Sequence, residues 1–393
     1  MDNITDITPI NNITTPATFR YCRLEQFSNG YRELHGFLSI LVCVPGSIAN
    51  VLNIFILTSR EMRSPTNFIL TGLALADLML MLEYVPYSVH VYFDPLNRKR
   101  ISYFTYQAAV FMFFHALFSQ ICHFISCCLT LILAIWRYIA ITYVQNTNIW
   151  CGPKRTMWAI ALTYIFCPII CFPIFLNLTV VPKSRRAFEN GTLVDDNIKM
   201  SFENCTLYNT TIYHLGYSQN VIYNKIMFWV YGVVLKLIPC ILLTIFSHQL
   251  IKAVIAAKKR RYNLLSNKGI KLEKINGKAI VASNQRFLEK EQQTDRTTRM
   301  LLAVLLLFLI PEFPQAILGL VSGILDKFDE ECHRPLGDLL DIFALTNSAI
   351  NFILYCSMSS QFRAAFQKLL HSWRPQGENR KPNEKVLTTV THV

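Results

Sequence analysis

The chain is 393 residues long, 52% hydrophobic and only 16% charged, with a positive mean hydropathy. An ordinary soluble domain is about one quarter charged, so this composition excludes one and points to a membrane protein. The formal net charge of +13 gathers in loops on one side of apolar runs, which assigns it to a membrane face and not to a nucleic-acid surface.

Residues 1–35 carry N-x-S/T glycosylation patterns at Asn3 and Asn12 and no apolar run resembling a cleavable signal, so the first span is expected to serve as the targeting signal. A bilayer-spanning helix needs roughly 20 apolar residues with few charges. Seven runs qualify or nearly qualify: 36–58, 68–92, 107–143, 157–176, 226–251, 300–325 and 336–356. After the last, SSQFRAAFQKLL sets Phe362, Phe366, Leu369 and Leu370 at helical spacing among polar positions that include Arg363 and Lys368. That pattern predicts a short helix lying on the membrane surface. The expected organisation is an all-α membrane protein: a glycosylated outer N-terminus over 1–35, a seven-helix bundle over 36–356 with a long basic loop at 252–299, an amphipathic helix over 357–371, and a cytosolic tail over 372–393.

Seven spans put the termini on opposite sides, and loop charge says which is which. Lys and Arg exceed Asp and Glu by 1 in 59–67, by 9 in 252–299 and by 4 in 358–393, and Arg137, Lys154 and Arg155 add 3. The other loops sum to −1. The positive-inside rule therefore places the C-terminus in the cytosol and the N-terminus outside a plasma membrane. Glycosylation patterns agree, because Asn3, Asn12, Asn177, Asn190, Asn204 and Asn209 all lie on or at the edge of the outer side. Asn177 sits close to the membrane. Nine of the 12 cysteines fall in spans or on the cytosolic side; Cys22, Cys205 and Cys332 lie outside, and three cannot all pair.

An ion inside a span costs several kcal/mol and tends to mark function. Asp77, Glu83, Arg137, Lys236 and Glu312 lie in spans, with Asp338 and Asp341 near the outer end of the seventh. Asp77 can share a polar cluster with Asn50, Asn347, Ser348 and Asn351, which suits either a hydrated Na⁺ or proton site or a structural hydrogen-bond network. Arg137, between two aromatics near the cytosolic end of span three, either snorkels to headgroups or faces a partner in a cytosolic cavity.

Gly46 and Asn50 in GSIAN, Asp77 in LALADL, Arg137 and Tyr138 in WRY, Pro239 in KLIPC, Pro314 in EFP and Tyr355 in NFILY, in that order on seven spans, resemble the rhodopsin-like (class A) family of G-protein-coupled receptors over 36–370. More narrowly, REMRSPTNFILTGLALADL, AIWRYIAI, EKEQQTDRTTRMLLAVLLLFL and NFILYCSMSSQFR look like invertebrate myosuppressin and FMRFamide-like neuropeptide receptors and their nematode relatives.

The resemblance implies that Arg137, Tyr138 and Tyr355 couple to a heterotrimeric G protein. It also implies that Asp77, Asn50, Asn347, Asn351, Pro239 and Pro314 belong to the activation switch. Several positions depart from the family pattern. Trp136 stands where an acid usually precedes the arginine, Phe352 replaces the NPxxY proline, and Glu312 replaces the aromatic toggle. Spans five and six are neighbours in the family, so Lys236 and Glu312 are expected to pair. The usual cysteine would fall near Met112 and is absent, and the pairing expected instead is Cys22 with Cys332.

The implied ligand is an amidated Arg-Phe neuropeptide. An amine receptor's aspartate is missing, its place taken by Ser119 beside Gln120. Asp341, Asp338 and Glu83 can pair with a ligand arginine, while Tyr84, Tyr87, His115, Phe118 and His123 supply aromatic and hydrogen-bonding walls. The tail LTTVTHV offers Thr388, Thr389 and Thr391 for phosphorylation and arrestin recruitment, and its last three residues have the ending that PDZ domains capture. No cofactor is implied. HExxH, Walker, paired CxxC and nucleophile-elbow motifs are lacking, so an enzyme is not expected. A transporter would favour repeats and broken helices, which the sequence lacks. A chemoreceptor for small molecules shares the fold and stays open as the alternative.

Overall fold

A computed structural model describes residues 21–93, 99–194, 206–218, 220–269, 302–325 and 327–373. The glycosylation patterns at Asn3, Asn12 and Asn204, Cys205, most of the basic loop and the threonines of the tail lie outside these residues. Seven helices are long and apolar enough to cross a membrane. We number them α1 (Glu25–Thr58), α2 (Pro65–Tyr92), α3 (Tyr106–Thr142), α4 (Pro153–Asn177), α5 (Val221–Trp229, then π-helical over Val230–Leu237, then Ile238–Gly269), α6 (Leu302–Ile324) and α7 (Arg334–Met358). An eighth, α8 (Ser360–Trp373), follows the seventh span.

Local chemistry sets the helix starts. Ser64 accepts a hydrogen bond from the backbone N–H of Asn67 and is followed by Pro65 at the first helical position, Thr105 accepts from Ala108, and Asn220 accepts from Ile222 and Tyr223. Ser359 does the same for α8, accepting from Phe362 at 3.2 Å. The start of α1 departs from expectation, since the helix begins at Glu25 and not at the apolar run. Two links hold those extra turns: the Cys22–Cys332 disulfide, and a hydrogen bond from the Tyr21 N–H to Glu331 at 2.7 Å.

The segment between α4 and α5, read from sequence as a loop, contains a hairpin. Strand β1 (Leu178–Phe188) pairs antiparallel with β2 (Leu207–Tyr217), from Leu178 opposite Tyr217 to Phe188 opposite Leu207. A bridge from Thr192 to Arg100 ties its far end to the segment before α3, and one from Leu193 to Ala187 folds the turn back on β1.

Among the described residues the bundle interior holds three apolar clusters. One, around Leu70, Leu129, Leu133 and Tyr355, reaches α8 through Phe362; a second, around Cys43, Met81, Tyr84 and Leu345, lies toward the hairpin; a third joins α3, α5 and α6 through Cys127, Leu243, Leu250 and Phe308. Large side chains such as Phe37, Leu41, Ile48, Trp158 and Ile169 are exposed on the outer faces, the surface a bilayer would cover.

Helices α5 and α6 meet backbone to backbone at Gly232 and Gly319. A methyl group on Gly232 would lie 3.0 Å from the Gly319 carbonyl carbon and 3.1 Å from the Leu320 nitrogen, and backbone atoms cannot rotate aside. Gly232→Ala is therefore expected to destabilise the purified protein by about 1–3 kcal/mol, the usual range for overpacking. An unchanged melting temperature would show that the two helices separate freely there.

Candidate functional site

At the hairpin end the bundle encloses a cavity of about 560 Å³. Its wall takes Tyr84 and Tyr87 from α2, His115, Ser119, Gln120 and His123 from α3, Asn177 from α4, and Asp341 from α7, with the hairpin contributing Leu215 and Tyr217. The α3 residues recur at i, i+4 and i+8, so one helical stripe faces the space.

The cavity floor is a buried ionic cluster. Lys236 Nζ lies 3.2 Å from Glu312 Oε2 and donates to Gln315 Oε1 at 2.7 Å, while His123 Nε2 lies 2.6 Å from Glu312 Oε1. Lys236 and Glu312 are 3% and 1% exposed, so removing either would leave the other buried without its formally charged partner. Local backbone explains how they arrive there. The π-helical stretch Val230–Leu237 ends just before Pro239, which lacks an N–H, and Glu312 sits between Pro311 and Pro314.

Above this floor, His115 Nδ1 lies 2.8 Å from Glu83 Oε2 and stacks on Tyr87 with ring centroids 3.4 Å apart. Tyr84 donates to Asp341 at 3.4 Å and also meets His35 at 3.0 Å; Tyr92 donates to Asp338 at 2.8 Å. Of the three acids read as partners for a ligand arginine, only Asp341 therefore lines the cavity. Glu83 and Asp338 lie off its wall, held by His115 and Tyr92. Phe118 is also off the wall, packed in the second apolar cluster and stacked against the exposed Phe114.

Deeper in the bundle, Asp77 accepts from Ser126 at 2.9 Å and from Asn351 at 3.1 Å. Asn50 donates to the carbonyl of Ser348 at 3.1 Å rather than to Asp77, and Asn347 is only half-buried and outside this set. The donors around Asp77 are hard oxygens and amides, a set that fits Na⁺ and not a soft metal. Among the described residues no group of three or more His, Cys, Asp or Glu side chains could hold a metal ion.

At the opposite end Arg137 is half-buried in the last turns of α3, and the Trp136 indole donates to Thr156 at 3.0 Å, which turns it toward α4. A second cavity, about 270 Å³, lies between α3 and α5 and is lined by Tyr138, Thr142, Gln249, Lys252 and Arg260. Phe352 packs edge-on against Phe362 and Phe366, at 5.8 and 5.4 Å, and Tyr355 packs against Phe362 at 5.5 Å. The phenylalanine in place of proline thus docks α8 on α7. A Lys368–Glu61 ion pair adds a tie from α8 to the first loop at that end.

Residues 37–372 match the family of serpentine-type seven-transmembrane G-protein-coupled chemoreceptors called Srw. The chain belongs to that receptor family. It is 31% identical to the G-protein coupled receptor dmsr-1 of Caenorhabditis elegans over 370 residues, 90% of this chain and 71% of that one. It is also 26% identical to the sex peptide receptor of Drosophila melanogaster, over 86% of this chain and 72% of the relative. With the thyrotropin-releasing hormone receptor of Mus musculus it shares 24% over 90% of this chain and 82% of the relative.

In this receptor, sequence reasoning did not find Asn177, Tyr217, Tyr231, Gln315 and Arg334 on the cavity wall. Arg334 lies 5.5 Å over the Tyr217 ring and 2.7 Å from Asp329, so the hairpin and the start of α7 close one side of the mouth together. One signal for this was available: 207–217 is rich in Thr, Tyr and Ile, a strand composition. Asn177, which carries an N-x-T pattern close to the membrane, is 4% exposed and lines the cavity. Asn190 and Asn209 are exposed on the hairpin and its turn.

Proposed function

We propose that this receptor answers to a neuropeptide ending in an amidated Arg-Phe, bound from the hairpin side, and activates a heterotrimeric G protein at the opposite, basic end. The observation that carries the reading is Asp341, an acid on the wall of a 560 Å³ cavity that, among the described residues, takes a side-chain hydrogen bond from Tyr84 at a long 3.4 Å. A guanidinium entering there gains a charge-assisted, largely desolvated partner. Tyr84 and Tyr87 beside it offer ring faces for the terminal phenylalanine. Relatives named for peptide ligands, the sex peptide and thyrotropin-releasing hormone receptors, support the ligand class.

The hairpin end is the extracellular one on this reading. A disulfide there needs an oxidising compartment, and exposed Asn190 and Asn209 stand on the same side. Arg137, Tyr138 and Tyr355 then meet the G protein, and Asp77 with Ser126 would hold Na⁺ in the resting state. The tail beyond the described residues recruits arrestin once Thr388, Thr389 and Thr391 are phosphorylated, and offers its end to a PDZ domain. A second reading, a small-molecule chemoreceptor, is favoured by the description of the family, and 560 Å³ also suits a small ligand.

Asp341→Asn tests the assignment. It is expected to weaken an Arg-Phe-amide agonist at least tenfold, about 1.4 kcal/mol, in a second-messenger assay, and a citrulline-for-arginine peptide is expected to lose much less on the mutant than on wild type. Full potency of the arginine peptide on Asp341→Asn removes the assignment.

A further inference from the structure

The α3–α4 wall of the cavity carries two buried polar atoms that nothing in the described residues satisfies: Asn177 Oδ1, an acceptor, and Gln120 Nε2, a donor. Both residues line the cavity, and Asn177 is 4% exposed in the last turn of α4. Its backbone carbonyl is already taken by the N–H of Ser218 at 2.9 Å, which fixes the residue where the helix hands over to β1. Lys236 on the same wall is committed to Glu312 and Gln315, and His115 to Glu83. Native interiors leave few polar atoms unsatisfied, so two on one cavity wall point to a ligand group that satisfies both.

One orphan acceptor and one orphan donor complement a group that donates at one atom and accepts at another. A primary carboxamide does this, giving an N–H to Asn177 and taking one from Gln120 on its carbonyl oxygen. Rotating both side-chain amides exchanges the roles and leaves the pair complementary. A carboxylate offers only acceptors, so it would set lone pairs against Asn177 Oδ1. An ammonium offers only donors and leaves Gln120 unmet.

We propose that Asn177 and Gln120 read the C-terminal carboxamide of the peptide and are the residues that reject its free-acid form. This rests on the peptide reading above and goes further, because it assigns discrimination between amide and acid to two side chains on α3 and α4 that line the same cavity as Asp341 on α7.

The test uses the full receptor purified in detergent and the tetrapeptide Phe-Met-Arg-Phe in carboxamide and free-acid forms, with affinity read from ligand-induced thermal stabilisation. Wild type is expected to prefer the amide by about tenfold or more, and Asn177→Leu and Gln120→Leu to reduce that preference below about threefold with little change in affinity for the acid. Asn177→Asp keeps an acceptor and is expected to retain the preference. Melting of each variant without peptide reports whether it folds, and Gln120→Leu decides alone if Asn177→Leu does not. An unchanged preference in folded variants, or equal binding of both forms by wild type, overturns the proposal while leaving the peptide reading intact. If neither form binds wild type, both fall.

Discussion

Arg137→Gln is expected to reduce agonist-driven nucleotide exchange on the G protein to the agonist-free level, while peptide affinity stays within about threefold of wild type, as for sites far apart with no shared partners. The reason is position. Arg137 stands in the last turns of α3, at the end where Tyr138, Lys252 and Arg260 line a small basic cavity, and the hairpin-end cavity is walled by residues several turns away on the same helix. A guanidinium has five donors in a fixed fork, whereas glutamine keeps the size but loses charge and fork geometry. The neighbouring Trp136 is committed to Thr156 and carries no charge, so the arginine lacks the acid that usually precedes it in the chain. Loss of peptide binding together with retained exchange per bound receptor would contradict this role.

The charge swap Lys236→Glu with Glu312→Lys has the second largest expected effect. Removing one member of a buried pair leaves an uncompensated charge and costs about 3–5 kcal/mol, so Lys236→Met or Glu312→Gln alone is expected to abolish surface expression or activation. Lys236 is 3 Å-scale neighbour to two groups, Glu312 Oε2 at 3.2 Å and Gln315 Oε1 at 2.7 Å, and Glu312 also meets His123. The swap restores one pair but not the secondary contacts, so rescue should be partial. Counting receptors at the surface and exchange per receptor separates folding from activation. A double mutant no better than the worse single one would show that the pair contributes nothing beyond its two separate sites.

The seven spans were legible because bilayer thickness imposes a length and apolarity that no loop here shares. The Lys236–Glu312 pair was legible for a related reason: a charge that deep demands a partner, and few were available. Side-chain direction was harder. Leu80, Tyr84 and Tyr87 fall on one stripe of α2 while Glu83 falls off it, and Phe118 falls just off the stripe of His115, Ser119 and His123, so residues close in sequence part at the wall. Span ends were blurred where tertiary links extend a helix past its apolar run, as the Cys22–Cys332 disulfide does for α1. The hairpin was missed because a long intervening segment separates its strands, so neither the short turn nor the alternation that marks a hairpin is local. The orphaned atoms of Asn177 and Gln120 were not legible in the sequence, since an orphaned atom is a property of surroundings that only the folded chain supplies.

The measurement that tests the account most directly is guanine-nucleotide exchange on a heterotrimeric G protein in membranes carrying this receptor, challenged with Arg-Phe-amide peptides and with panels of small odorants. The account predicts concentration-dependent exchange with an amidated peptide, absent in the Arg137→Gln receptor and weakened at least tenfold, about 1.4 kcal/mol, by Asp341→Asn, with no response to odorants. Exchange driven by an odorant, with silence toward every amidated peptide, would contradict it.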